Sequence, residues 1–206
     1  MNKLKPIELS LAFGVIFALL WGSGTAHAQE QLSDSLIRLH VIANSDSQKD
    51  QSDKLAVRDA ILTLAEEWGE QADSVEEMLD LLINHLDELE AAGEQALRKR
   101  GCLYDVTASV TNCYFPTKSY EGFALPAGTY TALRLVIGAG EGENWWCVAF
   151  PPLCVGASAK SVEEVARVGF FTQEQVDLLT QQEGEYILKF RSMELLGRLK
   201  GLFCRS

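Results

Sequence analysis

The chain has 206 residues, 47% of them hydrophobic and 23% charged, and a formal net charge of −11. A chain of this length suits one globular domain with a sizeable core, which needs no metal or disulfide lattice to fold. The acidic excess excludes a nucleic-acid binder and disfavours anionic lipid headgroups as partners, because both are bound by basic side chains that neutralise phosphates.

The N-terminal 28 residues have the three parts of a secretory signal peptide. Two lysines lie near the start, residues 11–21 are apolar, and Ala26-His27-Ala28 matches an A-x-A cleavage site. The apolar run is shorter than the ~20 residues that span a bilayer. We therefore expect residues 1–28 to be a cleaved signal peptide and residues 29–206 to form a single exported globular domain without tight membrane insertion. Loss of two lysines and one glutamate would make its net charge −12. An uncleaved N-terminal anchor is the alternative.

The exported part opens with a predicted strand and a polar turn. Residues 36–43 alternate large apolar side chains with Arg38 and His40, a pattern that predicts a strand with one buried face. Asn44-Ser45-Asp46-Ser47 follows, a run of residues that form turns and cap helices. We expect the strand, the turn and the helix after them to form one compact local unit.

Helical periodicity follows the polar turn. Apolar residues recur at helical spacing from Leu55 to Trp68, and Gly69 is the predicted stop. Ser74-Val75-Glu76-Glu77 is a capping box, and the apolar stripe behind it predicts a long helix that runs to about Arg100. The two helices should form a hairpin whose apolar side covers a sheet.

The second half predicts strands at residues 103–115, 129–137 and 145–150. Their links imply an antiparallel meander, with the glycine-rich residues 138–143 as a hairpin loop. A phosphate-binding loop is disfavoured in that segment, because its two glutamates would repel phosphate and a strand follows it.

Elements near the C-terminus complete the predicted fold. Capping boxes at residues 161–164 and 172–175 predict two short helices, residues 186–190 predict a last strand, and residues 193–203 predict a last helix. The order of elements predicts an α+β domain. In it, a mainly antiparallel sheet carries the long helical hairpin and the shorter helices.

Two of the five cysteines lie close together in an aromatic segment. Cys147 and Cys154 flank Pro151-Pro152, which must end the preceding strand because proline cannot donate to a ladder. A turn there can bring the two Cα atoms within disulfide distance, and an oxidising exterior favours the bond. We predict a Cys147–Cys154 disulfide. The other three cysteines, Cys102, Cys113 and Cys204, have no predicted partner.

A secreted hydrolase would need a nucleophile with a base, or metal ligands at ligand spacing. His40, Asp46 and Asp50 would form an acid–base or metal cluster if the polar turn folded back over the strand end. The same two aspartates equally suit a cap and the first turn of a helix. The sequence has no H-E-x-x-H and no G-x-S-x-G. We therefore predict no catalytic residue, metal or cofactor, and keep a cell-wall or peptide hydrolase as an alternative.

The pair Trp145-Trp146 has three interpretations. Side chains alternate across a strand, so one ring can enter the core while the other is half-buried. Alternatively the exposed ring is a hot spot for a protein partner, since tryptophan is enriched at such sites. The third interpretation is a glycan-binding module that stacks sugars on the two rings.

Several motifs together resemble the stage II sporulation protein R family. The resemblance covers essentially the whole exported part, and the longest of these motifs are ungapped. They are residues 38–47 (RLHVIANSDS), 50–51 (DQ), 57–59 (VRD), 114–118 (YFPTK), 125–128 (LPAG) and 144–154 (NWWCVAFPPLC). Cys102, Cys113 and Cys204 depart from the family pattern.

The resemblance implies a signalling protein of endospore-forming bacteria. Such a protein is made in the forespore and exported into the intermembrane space between forespore and mother cell. There it activates a membrane-embedded aspartic protease, stage II sporulation protein GA, which matures an inactive sigma-factor precursor, pro-sigma-E. The family has no catalytic residues to transfer to this sequence.

For such an activating ligand we predict a contact surface at one end of the first strand. Its residues are Arg38, His40, Asn44 and Asp46, with Trp145 or Trp146 nearby.

Overall fold

The fold is seen in a computed structural model that describes residues 31–120, 123–151, 154–155, 158–159, 172, 175–176 and 179. The predicted signal peptide, the capping box at 161–164 and the elements predicted after residue 180 lie outside the described residues. Part of the capping box at 172–175 is described and confirmed. Thr172 and Gln175 exchange hydrogen bonds between side chain and backbone N–H, at 2.8 and 3.3 Å.

Four strands form the main sheet: β1 (Ile37–Ile42), β2 (Val106–Phe115), β5 (Gly128–Ile137) and β6 (Asn144–Phe150), in the order β2-β5-β1-β6. The remaining described strands form two small hairpins. They are β3 (Lys118–Tyr120) with β4 (Phe123–Leu125), and β7 (Cys154–Val155) with β8 (Ser158–Ala159). Strand β1 is parallel to β5, while the β1–β6 and β2–β5 pairs are antiparallel.

The predicted meander is wrong at one position, because β1 lies between β5 and β6. All six residues of β1 are buried, so this strand is covered on both faces and flanked on both edges. Residues 138–143 are therefore not a hairpin loop. They cross the end of β1, where the Gly142 N–H donates to the Ala43 carbonyl at 2.9 Å and the Glu141 N–H donates to the Asn44 carbonyl at 3.2 Å.

Three helices lie wholly within the described residues and have defined bounds: α1 (Gln48–Gly69), α2 (Val75–Asn84) and α3 (Leu86–Lys99). Helix α1 begins directly after the polar turn, as its cap-forming residues predicted: the Ser47 hydroxyl caps it by accepting from the Asp50 N–H at 3.1 Å. Gly69 is its last residue rather than the residue beyond it, since Glu70 is still right-handed helical in φ and ψ. Within the described residues, no helix is both long and apolar enough to cross a membrane.

The predicted long helix is interrupted at His85, whose φ of −121° and ψ of 26° are not helical. The capping box before it is present in part. The Ser74 hydroxyl accepts from the Glu77 N–H at 3.2 Å, but the Glu77 carboxylate accepts from the Asp73 N–H instead of that of Ser74. Both halves bury their own leucines, Leu82 in α2 and Leu89 and Leu97 in α3, so the apolar stripe survives the interruption.

The sheet has two covered faces, and the predicted single buried face of β1 is wrong. One face packs against the helices, with α1 against β6 and α3 against β2. On the opposite face, Arg38 and His40 are 0% and 7% exposed. Aromatic side chains of β2, β3, β5 and β6 cover these two polar residues. The observed α+β domain, with a mainly antiparallel sheet and a helical hairpin, confirms the predicted fold class.

Candidate functional site

Arg38 is a fully buried guanidinium on the sheet face away from the helices. Its Nε donates to the Cys147 carbonyl at 2.9 Å, and its Nη2 donates to the Tyr120 hydroxyl at 2.9 Å. The guanidinium carbon lies 4.2 Å from the centre of the Phe115 ring and 5.0 Å from that of Tyr130. Among the described residues, cation–π attraction and hydrogen bonds therefore replace the carboxylate partner that a buried arginine usually has.

The surroundings of Arg38 perturb several titrating groups. Burial lowers the pKa of Arg38 because it disfavours the charged form. Burial likewise raises the pKa of Tyr120, and that of Tyr130 to about 12, so both phenols stay protonated donors. The Nη1 atom of Arg38 is buried without a hydrogen-bond partner among the described residues. An unpartnered charged donor is unusual in a folded protein, because its desolvation is not offset by a hydrogen bond.

His40 lies next to Arg38 on the same face and stacks against Trp146. The two rings are 3.9 Å apart with an interplanar angle of 17°. Nε2 of His40 lies 2.8 Å from the Asn144 side-chain oxygen, which can only accept, so the proton is on Nε2. Nδ1 is buried without a partner among the described residues. Burial lowers the pKa of His40, which keeps the ring neutral.

The polar turn after β1 is tied to the glycine-rich link between β5 and β6. The Asn44 side-chain oxygen accepts from the Ala139 N–H at 2.9 Å, and the Asp46 carboxylate accepts from the Glu143 N–H at 2.7 Å. Gly138 must be glycine here, because its φ is +55° and a Cβ would lie 2.4 Å from the Asn44 oxygen. Asn44 and Asp46, which the sequence analysis predicted to contact a protein partner, thus each form hydrogen bonds within the molecule.

Asp50 completes the polar turn from the first turn of α1. Its carboxylate accepts from the Asn44 amide at 2.8 Å and from the Ser45 hydroxyl at 2.6 Å. These hydrogen bonds lower the pKa of Asp50 by stabilising its charged form. The carboxylate therefore organises the turn.

The structure does not join His40, Asp46 and Asp50 into a catalytic cluster. His40 is bonded to Asn144, while the two carboxylates bond the backbone and side chains of the polar turn and its neighbouring link. In the described ranges, no group of three histidine, cysteine or acidic side chains is arranged to hold a metal ion.

Trp145 and Trp146 are both half-buried and lie on opposite faces of β6. Trp145 faces the helices, where the Arg58 guanidinium lies 4.3 Å from its ring centre. Its Nε1 is buried without a partner among the described residues. The expectation of one core ring and one half-buried ring is wrong, because helix α1 only partly covers Trp145.

A groove of about 570 Å³ runs beside the start of β6. Sequence reasoning missed its two lysines, Lys54 on α1 and Lys118 on β3. Lys118 is part of the family motif at residues 114–118, but nothing in the sequence indicated that it lines the same groove as Lys54. The lining residues are Gln51, Ser52, Lys54, Leu55, Lys118, Glu143, Asn144, Trp145 and Trp146.

The cysteines divide into two classes. Cys147 is disulfide-bonded, while Cys102 and Cys113 are free. The side chains of Cys154 and Cys204 lie outside the described residues, so the Cys147–Cys154 pairing stays a prediction. The backbone of Cys154 is described, at the start of β7, which contacts β6.

Comparisons with known proteins agree on one family. The family model "Stage II sporulation protein R" matches residues 33–160. Stage II sporulation protein R of Bacillus subtilis (strain 168) is 36% identical over 150 residues, which cover 68% of this chain and 67% of that protein. No solved structure matches the chain.

Proposed function

Because the chain belongs to the stage II sporulation protein R family, we propose that it is a secreted signalling protein of sporulation. It acts in the intermembrane space between forespore and mother cell. Its partner there is a membrane-embedded aspartic protease of the stage II sporulation protein GA type. The protein activates this protease, which then processes the pro-sigma-E precursor.

The observation that carries the proposal is the family match across residues 33–160, which contain the polar turn, Arg38, His40 and the groove beside Trp146. The signal-peptide pattern of residues 1–28 supports export. The acidic charge of −11 supports a role away from nucleic acid.

The site geometry supports activation by binding alone. Polar groups that a hydrolase would use for chemistry are bonded within the polar turn, and an aromatic ring with two lysines lines an open groove. A ligand activates a receptor only if it binds the active state more tightly than the resting state. The protein needs contacts that distinguish these two states, and no reaction of its own.

The test is reconstitution from purified parts. The protein as it is exported is mixed with the protease in membrane vesicles and with the pro-sigma-E precursor, and cleavage of the precursor is followed over time. We expect a dose-dependent rise in the cleavage rate. A rate that does not change with the amount of protein added would refute the proposal.

A control reaction omits the protease. Precursor and protein alone should give no cleavage, because the protein contributes binding only. Cleavage in this control that is lost in His40→Ala would instead support the hydrolase alternative.

A further inference from the structure

The basic side chains are unevenly distributed over this acidic protein. Most of those on the helices form ion pairs with carboxylates: Lys49, Arg58, Arg98 and Arg100. Of the described residues that face the groove or lie on the sheet, Lys54, Lys118, Arg38 and Arg134 form no ion pair with a described carboxylate. In a protein with 29 acidic residues and 18 basic ones, basic side chains without an ion pair are unexpected.

Lys54 forms one wall of the groove and is held in place. It is 4% exposed, and its Nζ donates to the Gln51 side-chain oxygen at 2.5 Å and to the Glu143 carbonyl at 2.9 Å. Burial is the main influence on its pKa, which is lowered. An ammonium group has three N–H donors, so one remains for a ligand in the groove.

Lys118, on β3, lines the same groove as Lys54, together with Trp146. Glu143 contributes the one carboxylate among the lining residues. The groove therefore combines an aromatic side chain with two cations, which suits a chain segment with acidic side chains and one apolar anchor.

The sheet face behind Trp146 continues the same electrostatic character. By the alternation of side chains, it carries Arg38, His40 and Arg134, and the described strand positions on this face hold no carboxylate. Arg134 lies near enough to His40 to help lower its pKa. The two lysines of the groove therefore lie beside a sheet face whose described strand positions carry no carboxylate, while the charges of Glu143 and Asp46 also act on Lys54.

We propose that the groove lined by Lys54, Lys118 and Trp146 docks an acidic, extended peptide segment of the protein partner. This inference rests on the proposed function, and it names the contact through which the protease is recognised. The acidic side chains of the segment pair with the two lysines. An apolar side chain of the segment packs on Trp146.

Charge and shape favour a peptide over a membrane surface. A flat anionic membrane cannot enter the groove, and the net charge of −11 disfavours its approach. A narrow peptide segment within the groove lies close to the two lysines. Salt screens its repulsion from acidic side chains that are farther than about 8 Å away. A groove of about 570 Å³ accommodates a few residues of extended chain.

The experiment compares two charge reversals in the reconstituted protease assay. Lys118→Glu changes the groove, and Lys99→Glu makes the same charge change at an exposed position of α3 that is not among the groove residues. We expect Lys118→Glu to raise the concentration for half-maximal activation about tenfold, equivalent to ~1.4 kcal/mol. Lys99→Glu should raise it less than about twofold.

Each other outcome would contradict the proposal that the groove docks the peptide segment. Equal weakening by the two variants would show a response to net charge alone, and no weakening by Lys118→Glu would exclude the groove as the contact. If the wild type binds anionic vesicles without protease, and Lys118→Glu abolishes that binding, the groove contacts a membrane surface instead. Because wild-type activation is measured beside both variants, a failure of the proposed function is seen separately: the wild type itself then gives no activation.

Matching melting temperatures of the three proteins, measured by circular dichroism, are required before the comparison. Lys118→Gln serves as a second variant, because it removes the charge without adding a carboxylate. We expect it to give an intermediate loss and a weaker dependence of activation on salt than the wild type shows.

Discussion

Arg38 shows how a sheet can hold a charged side chain that has no carboxylate partner in the part of the chain that the structure describes. Its guanidinium donates to Cys147 and Tyr120 and lies over the rings of Phe115 and Tyr130. The planar, delocalised shape is what allows the same group to stack and to donate in fixed directions. A compact ammonium group cannot do both.

We therefore expect Arg38→Lys to lower the free energy of unfolding by about 2 kcal/mol, since it keeps the buried charge and loses hydrogen bonds and ring contacts. Urea denaturation followed by circular dichroism measures the change. Lys99→Arg is the matched control on an exposed helix position and should leave the midpoint unchanged. An unchanged midpoint in Arg38→Lys would mean that the stacking contributes nothing.

His40 makes stability depend on pH. Its pKa is lowered by burial, so the unfolded chain takes up a proton at higher pH than the folded protein does. Stability is then complete above the unfolded pKa of about 6.5 and falls as the pH drops below it, by at most ~1.4 kcal/mol per pH unit, until the folded pKa is passed.

The measurement is a series of melting temperatures between about pH 7.5 and 5.5. His40→Gln should remove most of the decrease seen in the wild type. The lowered pKa of Asp50 affects stability in a separate pH range, below about pH 4, where protonation of its carboxylate destabilises the polar turn. A wild-type decrease that persists in His40→Gln would assign it to another group.

At the scale of elements, the polar turn and the β5–β6 link behave as one unit. Their contacts replace the hairpin pairing that the sequence suggested, and they hold β5 and β6 apart by the width of β1. Gly142 is at the closest approach, where a Cβ would lie 2.3 Å from the Ser45 carbonyl oxygen. That oxygen belongs to the backbone and cannot rotate away.

Gly142→Ala should therefore destabilise the protein by about 2–3 kcal/mol, because the link must shift and weaken the hydrogen bond from Gly142 to Ala43. Thermal unfolding measures the loss. Gly69→Ala is the matched control: a Cβ there meets Phe150 at an ordinary 3.4 Å, so stability should hold or rise slightly. Equal melting temperatures for the two variants would contradict the close approach.

At the scale of the whole molecule, the described cysteines differ in their covalent state. Cys147 is disulfide-bonded, whereas Cys102 is buried and free and Cys113 is free with a pKa raised by burial. A peptide map tests this difference directly.

We expect a peptide map of the exported protein, alkylated while denatured without reductant, to link Cys147 to Cys154 and to find Cys102 and Cys113 alkylated. Mass spectrometry reads both results, together with the N-terminus that signal cleavage leaves. Alkylated Cys147 would contradict the pairing, as would a link from Cys147 to Cys204. Cys154→Ser should cost about 2–3 kcal/mol of stability if the eight-residue loop is closed.

The family, the fold class and most element positions followed from the sequence by itself. Alternation marked β1 and β5, capping residues marked Ser74 and Thr172, and these signals are local, so neighbouring residues along the chain suffice to produce them. The motif around Trp145 and Trp146 likewise pointed to the family, and the match over residues 33–160 confirms it.

Only the tertiary structure decided where β1 lies, which side chains the second face covers, and that Lys54 and Lys118 share a groove. Each of these depends on contacts between residues far apart in sequence. Alternation states that Arg38 and His40 share a face, but only strand order and the β3–β4 hairpin determine whether water or aromatic rings cover that face.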